Sequence, residues 1–158
     1  MRSPLILPIF LAVTGIALAA APASRIVAEA RADAGTIKKR QDILGSFGEA
    51  VKEPGAMLRQ EAAFDLAVVK ASLKTIKEGA PKLKELFPDD SKTGGYTEAL
   101  PVIWEQKAAF WGVLDQLVAT AAAAETQIKD ETTFRTEWGK VSANCRACHK
   151  VYRTLPKS

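Results

Sequence analysis

Histidine occurs once in these 158 residues, and cysteine and methionine only twice each. Each shortage removes a class of function. A single imidazole cannot ligate a metal from both sides, and once it is spent on a metal, acid–base catalysis has little to work with. Two thiols and one imidazole fall short of the four ligands of a structural zinc site. Runs of Val, Ile and Thr are scarce, so no strand pattern emerges, while Ala, Leu, Lys and Glu are abundant and lean helical. Lys and Arg total 22 against 18 Asp and Glu, and the basic residues are scattered among the acids. With no basic block and no interleaved aromatic stripe, nucleic acid is not an expected partner.

What the chain does have is concentrated at one end. Cys145-Arg146-Ala147-Cys148-His149 holds both cysteines and the sole histidine. C-x-x-C-H is the pattern of covalent c-type haem attachment. Two thiols must reach the two vinyl groups of one porphyrin, and an imidazole must stand over the iron. On a helix, Cys145 and Cys148 are i,i+3 neighbours and Cys145 and His149 are i,i+4, so one face presents all three groups to one flat cofactor. The competing readings are a redox dithiol, which needs a βαβ context, and a plain disulfide with His149 incidental.

The first residues read as an export signal. Met1-Arg2 opens a short basic region, and the apolar stretch from Leu5 to Ala20 is interrupted by Pro8 and Gly15. It is too short for a comfortable membrane span. Ala21-Pro22-Ala23 matches a cleavage signature, with Ala28-Glu29-Ala30 as a second candidate cut and an uncleaved anchor as the competing reading. The expected division is therefore a secretory signal over 1–23 and one domain over 24–158. Removing 1–23 takes away only Arg2 among charged groups, so a formal +4 becomes +3. No stable membrane insertion is expected after that removal.

Four helical segments follow. The first is expected from Ala32 to Glu53, with Ile37, Leu44, Phe47 and Val51 on one face and Pro54-Gly55 as its stop. The second is expected from Ala56 to Ala80 on the stripe Ala62, Leu66, Val69, Leu73 and Ile76. Pro81 ends or kinks it, with Lys82 to Phe87 as a further turn and Pro88 to Tyr96 as loop. The third runs from Pro101 to Glu125, with Ile103, Phe110, Leu114, Leu117 and Ala121 on one face and Trp104 and Trp111 flanking it. Asp130 caps the fourth, where Phe134, Trp138, Val141, Cys145, Cys148 and Tyr152 form the core stripe. The fold expected is all-α: an antiparallel up-down four-helix bundle with one covalently bound haem.

The sixth position of the iron is narrowed by elimination. Two histidine ligands are impossible in one chain. Met57 is the only methionine after the signal, and none follows the haem motif. A methionine there is more often packing than a ligand.

Three features together resemble the class II c-type cytochromes, the cytochrome c-prime family. They are the C-terminal Cys145 to Arg153 stretch, the four-helix pattern, and Arg40-Gln41-Asp42-Ile43-Leu44 on the first helix, with Pro101-Val102-Ile103-Trp104 adding a likeness at the third helix start. The resemblance spans roughly Ala32 to Lys157. It implies an axial methionine four residues after Arg40 in low-spin members and an apolar residue there in high-spin, five-coordinate ones; this chain has Leu44. It further implies that Arg40 and Gln41 lie beside the haem propionates, that Phe87 walls the distal pocket, and that Arg153 stands near the proximal imidazole.

The function so implied is a periplasmic monohaem cytochrome that transfers one electron to redox partner proteins, and not an enzyme. The second reading is a haem protein that binds NO or CO for buffering or detoxification, because an apolar distal pocket gives bound oxygen no hydrogen bond. Family members often pair through their first two helices, so the resemblance implies a possible homodimer, with Phe64 and Val68 among the residues off the haem-facing stripe, although packing within one chain explains those two equally well.

Overall fold

The computed structural model describes the backbone of residues 23–154 and the side chains of residues 34–154. Residues 1–22, most of the expected signal segment, lie outside the described part.

Six α-helices make up most of it: α1 (Ala23–Ala50), α2 (Lys52–Leu58), α3 (Leu66–Leu83), α4 (Val102–Glu105), α5 (Lys107–Gln127) and α6 (Glu131–Tyr152). Among the described residues there are no strands, only one isolated antiparallel bridge between Ala99 and Arg153. The four long helices, α1, α3, α5 and α6, form the expected bundle. α1 packs on α3, α3 on α5 and α5 on α6.

α1 starts at Ala23 rather than Ala32 and ends at Ala50 rather than Glu53, and the helix ends differ from the sequence expectation at three further places. Pro54-Gly55 does not stop the first segment. Pro54 is the third residue of α2, in the first turn, where a missing N–H costs no helical hydrogen bond. The chain instead turns at Gln60. Its φ is 62°, and Gln60 N donates to the Met57 carbonyl while Glu61 N donates to that of Ala56. That pair of bonds is a Schellman closure, here without its usual glycine.

Second, α3 starts at Leu66 rather than Ala56. Asp65 caps it, its carboxylate accepting from Ala67 N at 2.8 Å and Val68 N at 3.2 Å. Pro81 sits inside α3, which runs to Leu83 and tightens into a 3₁₀ turn over Lys84–Leu86.

Third, the expected helix from Pro101 to Glu125 is broken at Gln106, with φ −127° and ψ 44°. The break frees Trp104 to donate its indole N–H to the Pro88 carbonyl at 2.8 Å, while Phe110 and Leu114 turn into the core. Trp104 is therefore buried, not on a flank. α6 begins as expected at an Asp130 cap. Thr133 N donates to the Asp130 carboxylate at 2.8 Å, and the Thr133 hydroxyl accepts from Asp130 N, closing a capping box.

Two apolar clusters hold the bundle. One gathers Met57, Val69, Leu73, Ile76, Phe134, Trp138 and Val141. The other gathers Leu83, Phe87, Ile103, Trp104, Phe110, Leu114 and Tyr152. Burial of each large side chain contributes roughly 1.5–3 kcal/mol. Beside the second cluster the packing opens. α1 and α6, which should be neighbours in a closed bundle, barely meet.

Candidate cofactor site

A cavity of about 470 Å³ occupies that gap. α1 contributes Arg40, Gln41, Leu44, Gly45, Phe47 and Gly48, and α6 contributes Asn144, Cys145, Cys148, His149 and Tyr152. The residues between α3 and α4 add Phe87, Tyr96, Thr97, Glu98 and Ala99, and Arg153 closes the end. Every residue expected at the site from sequence lines this one cavity: Arg40, Gln41, Leu44, Phe87, Cys145, Cys148, His149 and Arg153.

Cys145, Cys148 and His149 share α6, so helical spacing alone turns them to one side. Both cysteines are free thiols and half-buried. Burial pushes the Cys145 thiol up, and burial together with the neighbouring Cys145 pushes Cys148 up to about 11. Both are therefore protonated at neutral pH. Burial also lowers His149, the nearby Arg153 adds to that, and Glu98 opposes it. The imidazole is thus neutral at pH 7, which is the form that ligates a metal. Among the described residues no three His, Cys, Asp or Glu side chains are placed to hold one ion, these included. The arrangement spreads its groups along a face, as a flat cofactor requires, rather than converging on a point.

Arg40 is the buried charge of the site, 2 % exposed. Its guanidinium donates to Ser91 Oγ at 2.9 Å, the Ser91 carbonyl at 3.0 Å, Thr97 Oγ1 at 2.9 Å and the Leu86 carbonyl at 3.2 Å. The Phe87 and Trp104 rings flank it at 4.8 and 5.5 Å from their centroids. All those acceptors are neutral, so among the described residues this buried cation facing the cavity has no carboxylate partner. Gln41 reaches the same loop, its amide donating to the Tyr96 carbonyl at 2.8 Å.

At the other end Arg153 Nε donates to Glu98 at 2.6 Å, and this contact holds the Glu98 carboxyl below the usual range. Leu100 N to the Tyr152 carbonyl and Thr154 N to the Glu98 carbonyl zip the loop to the end of α6.

Leu44 is 42 % exposed, and its apolar surface is open to the cavity rather than packed in the core. Gly45 and Gly48 lie on the same wall, and a Cβ at either would meet nothing within 4 Å. Met57 is elsewhere: it is 3 % exposed, lies in the first apolar cluster and does not line the cavity.

Sequence reasoning missed Ser91, Thr97 and Glu98, the loop residues that hold Arg40 and Arg153. They sit in a segment with no periodicity, and nothing in its spelling marks them. It also gave Phe47 no role beyond the core stripe.

Thiols and a neutral imidazole on one helix face, an apolar wall opposite and a buried cation without a carboxylate fit a haem with its acidic edge at Arg40.

Comparison with known proteins agrees. Residues 35–153 match the Cytochrome C' family. A cytochrome c' of Rhodopseudomonas palustris is 50 % identical over 117 residues, covering 74 % of this chain and 80 % of that one. The solved structure of cytochrome c' from Rhodopseudomonas palustris superimposes with a TM-score of 0.76 at 48 % identity, over 77 % of this chain and 98 % of that one. A nitric oxide complex of a cytochrome c prime variant from Alcaligenes xylosoxidans shares the fold, with a TM-score of 0.65 at 22 % identity over 76 % of this chain and 94 % of that one. On its helices, its C-terminal haem motif and these likenesses, this chain belongs to the cytochrome c-prime family of class II c-type cytochromes, four-helix bundles that carry one covalent haem c.

Proposed function

We propose that the chain is a periplasmic one-electron carrier whose haem is bonded through thioethers to Cys145 and Cys148, ligated by His149 alone and capped on its other face by Leu44. The observation that carries this reading is the cavity lining. It includes one imidazole and no methionine, and Leu44 is among the apolar residues that α1 contributes to it. The haem supplies an iron that cycles between ferrous and ferric states and can take a small ligand at a free position.

The chain's own residues do the rest. His149 keeps a neutral ring, because burial and Arg153 disfavour its charged form. Arg40 offers a fixed positive charge to the propionate edge, with Gln41 alongside it, and Phe87 holds the guanidinium in place. Arg153 is tied to Glu98, which sets the end of α6 relative to the loop.

The second reading is binding of NO or CO. It is favoured by the apolar character of the wall around Leu44 and Phe47. A ligand entering there must displace Leu44, which costs steric energy and slows association. The related structure that is a nitric oxide complex supports the same reading by fold alone.

Export of residues 24–158 after cleavage at Ala23, or of residues 31–158 after cleavage at Ala30, belongs to this proposal, and among the described residues no helix is long and apolar enough to cross a membrane. So does a homodimer through the first two long helices. Phe64 and Val68, its suggested contacts, are half-buried against their own chain's core, with Phe64 5.4 Å from Phe134 between ring centroids.

The test is CO association with the ferrous holoprotein and its Leu44→Ala variant. A faster rate in the variant supports the cap, and an unchanged rate contradicts it.

A further inference from the structure

We infer that Gly79 on α3 is a positioning residue for the distal wall of the cavity: it leaves the space in which the Phe47 ring sits, and so sets how much room beside Leu44 a gas ligand finds. This rests on the haem lying in the cavity with Leu44 on the side away from His149.

Phe47 follows Leu44 by one helical turn on α1 and lines the same cavity. Its ring also packs against both apolar clusters, so it forms the partition between the closed core and the open site. Across from it stands Gly79. A Cβ built there would lie 2.8 Å from Phe47 Cζ, nearer still to Cε1, and 3.2 Å from Ile43 Cγ2. Separations under about 3 Å between carbons are repulsive, so any side chain at Gly79 forces the ring to move.

Glycine is a poor choice for the interior of a helix, where alanine is strongly preferred. Its presence inside α3 calls for a packing reason, and the Phe47 ring supplies one. The direction of a forced displacement follows from what surrounds the ring. Core residues of both clusters block two sides, and a well-packed interior yields little. The open side is the cavity. A methyl group at Gly79 therefore pushes the ring toward Leu44 and shrinks the space on the distal face.

The experiment is a double-mutant cycle in the holoprotein with two readouts. The first is CO association with ferrous wild type, Gly79→Ala, Phe47→Leu and the pair together. We expect Gly79→Ala to slow association by on the order of tenfold, which corresponds to about 1.4 kcal/mol on the barrier. Phe47→Leu should speed association, and Gly79→Ala should have little effect in the Phe47→Leu background.

The second readout is independent of gas kinetics. Proton NMR of the diamagnetic ferrous CO form should show contacts from the Phe47 ring to the Gly79 Hα protons. In Gly79→Ala they should give way to contacts with the Leu44 methyls.

An equal slowing by Gly79→Ala in both backgrounds, or no ring displacement, overturns the inference. If Gly79→Ala does not retain haem, the Phe47→Leu background decides: restored haem retention supports the clash, and continued failure contradicts it. The parent reading fails separately, if Leu44→Ala leaves CO association unchanged.

Discussion

The Arg40 guanidinium lies 4.8 Å from the centroid of the Phe87 ring and donates to both the hydroxyl and the carbonyl of Ser91. One helix side chain thereby fastens the loop between α3 and α4 and leaves a positive charge at the cavity with, among the described residues, no carboxylate hydrogen-bonded to it. Lysine cannot reproduce this, because it lacks the planar fork that reaches Ser91, Thr97 and the Leu86 carbonyl together. Arg40→Lys should lower unfolding stability by about 1.5–3 kcal/mol, the range for hydrogen bonds to a buried charged group. Denaturant titration of the holoprotein checks it, and a loss below 0.5 kcal/mol, an order-of-magnitude floor for one hydrogen bond, would remove Arg40 from this role.

Asp130 provides a pH-dependent case. Its hydrogen bonds from Thr133 N and the Thr133 hydroxyl hold the carboxyl below its ordinary value. A carboxyl whose folded pKa is depressed contributes stability above its unfolded pKa of about 3.9, and that stability is lost as pH falls through the folded value. Asp130→Ala should therefore lower the thermal midpoint by a few degrees at pH 7. The gap between variant and wild type should narrow toward zero as pH falls below 4, a bound set by the ordinary carboxyl pKa. Parallel melting curves across that range would show it.

Gln60 closes α2 in the left-handed region, where a side chain is strained by about 1–2 kcal/mol. Gln60→Gly removes the strain but adds freedom to the unfolded chain, which takes back about 0.5–1 kcal/mol. A net gain of up to about 1 kcal/mol in denaturant unfolding is expected. A loss of stability would mean that the Gln60 side chain makes a contact worth more than the strain.

Met57 packs in the closed core rather than at the site. Met57→Leu keeps the volume and should cost less than about 1.5 kcal/mol. It should also leave the absorption spectrum of the holoprotein unchanged in both oxidation states. A spectral shift would place the thioether on the iron.

How much of this was legible in the sequence divides by range. α6 was readable because its signals are local: the Asp130 cap, the stripe from Phe134 to Tyr152 and the motif at 145–149 lie on one continuous helix. The place of Arg40 at the site came from resemblance, but its burial did not follow from the chain's spelling. Its partners Ser91 and Thr97 are 51 and 57 residues away, in a loop without periodicity. The stop at Gln60 was hidden because a glutamine occupies a glycine position. The break at Gln106 was hidden for another reason: the contact that accompanies it, the indole of Trp104 reaching the Pro88 carbonyl, is tertiary. Nothing in the spelling around Gly79 marks it, because the Phe47 ring it faces lies on another helix.

One spectrum bears most directly on the central claim, that His149 holds the iron from one side while Leu44 leaves the other free. The ferrous holoprotein should give a high-spin, five-coordinate absorption spectrum that changes on adding CO. A low-spin, six-coordinate spectrum that CO does not alter would contradict the account.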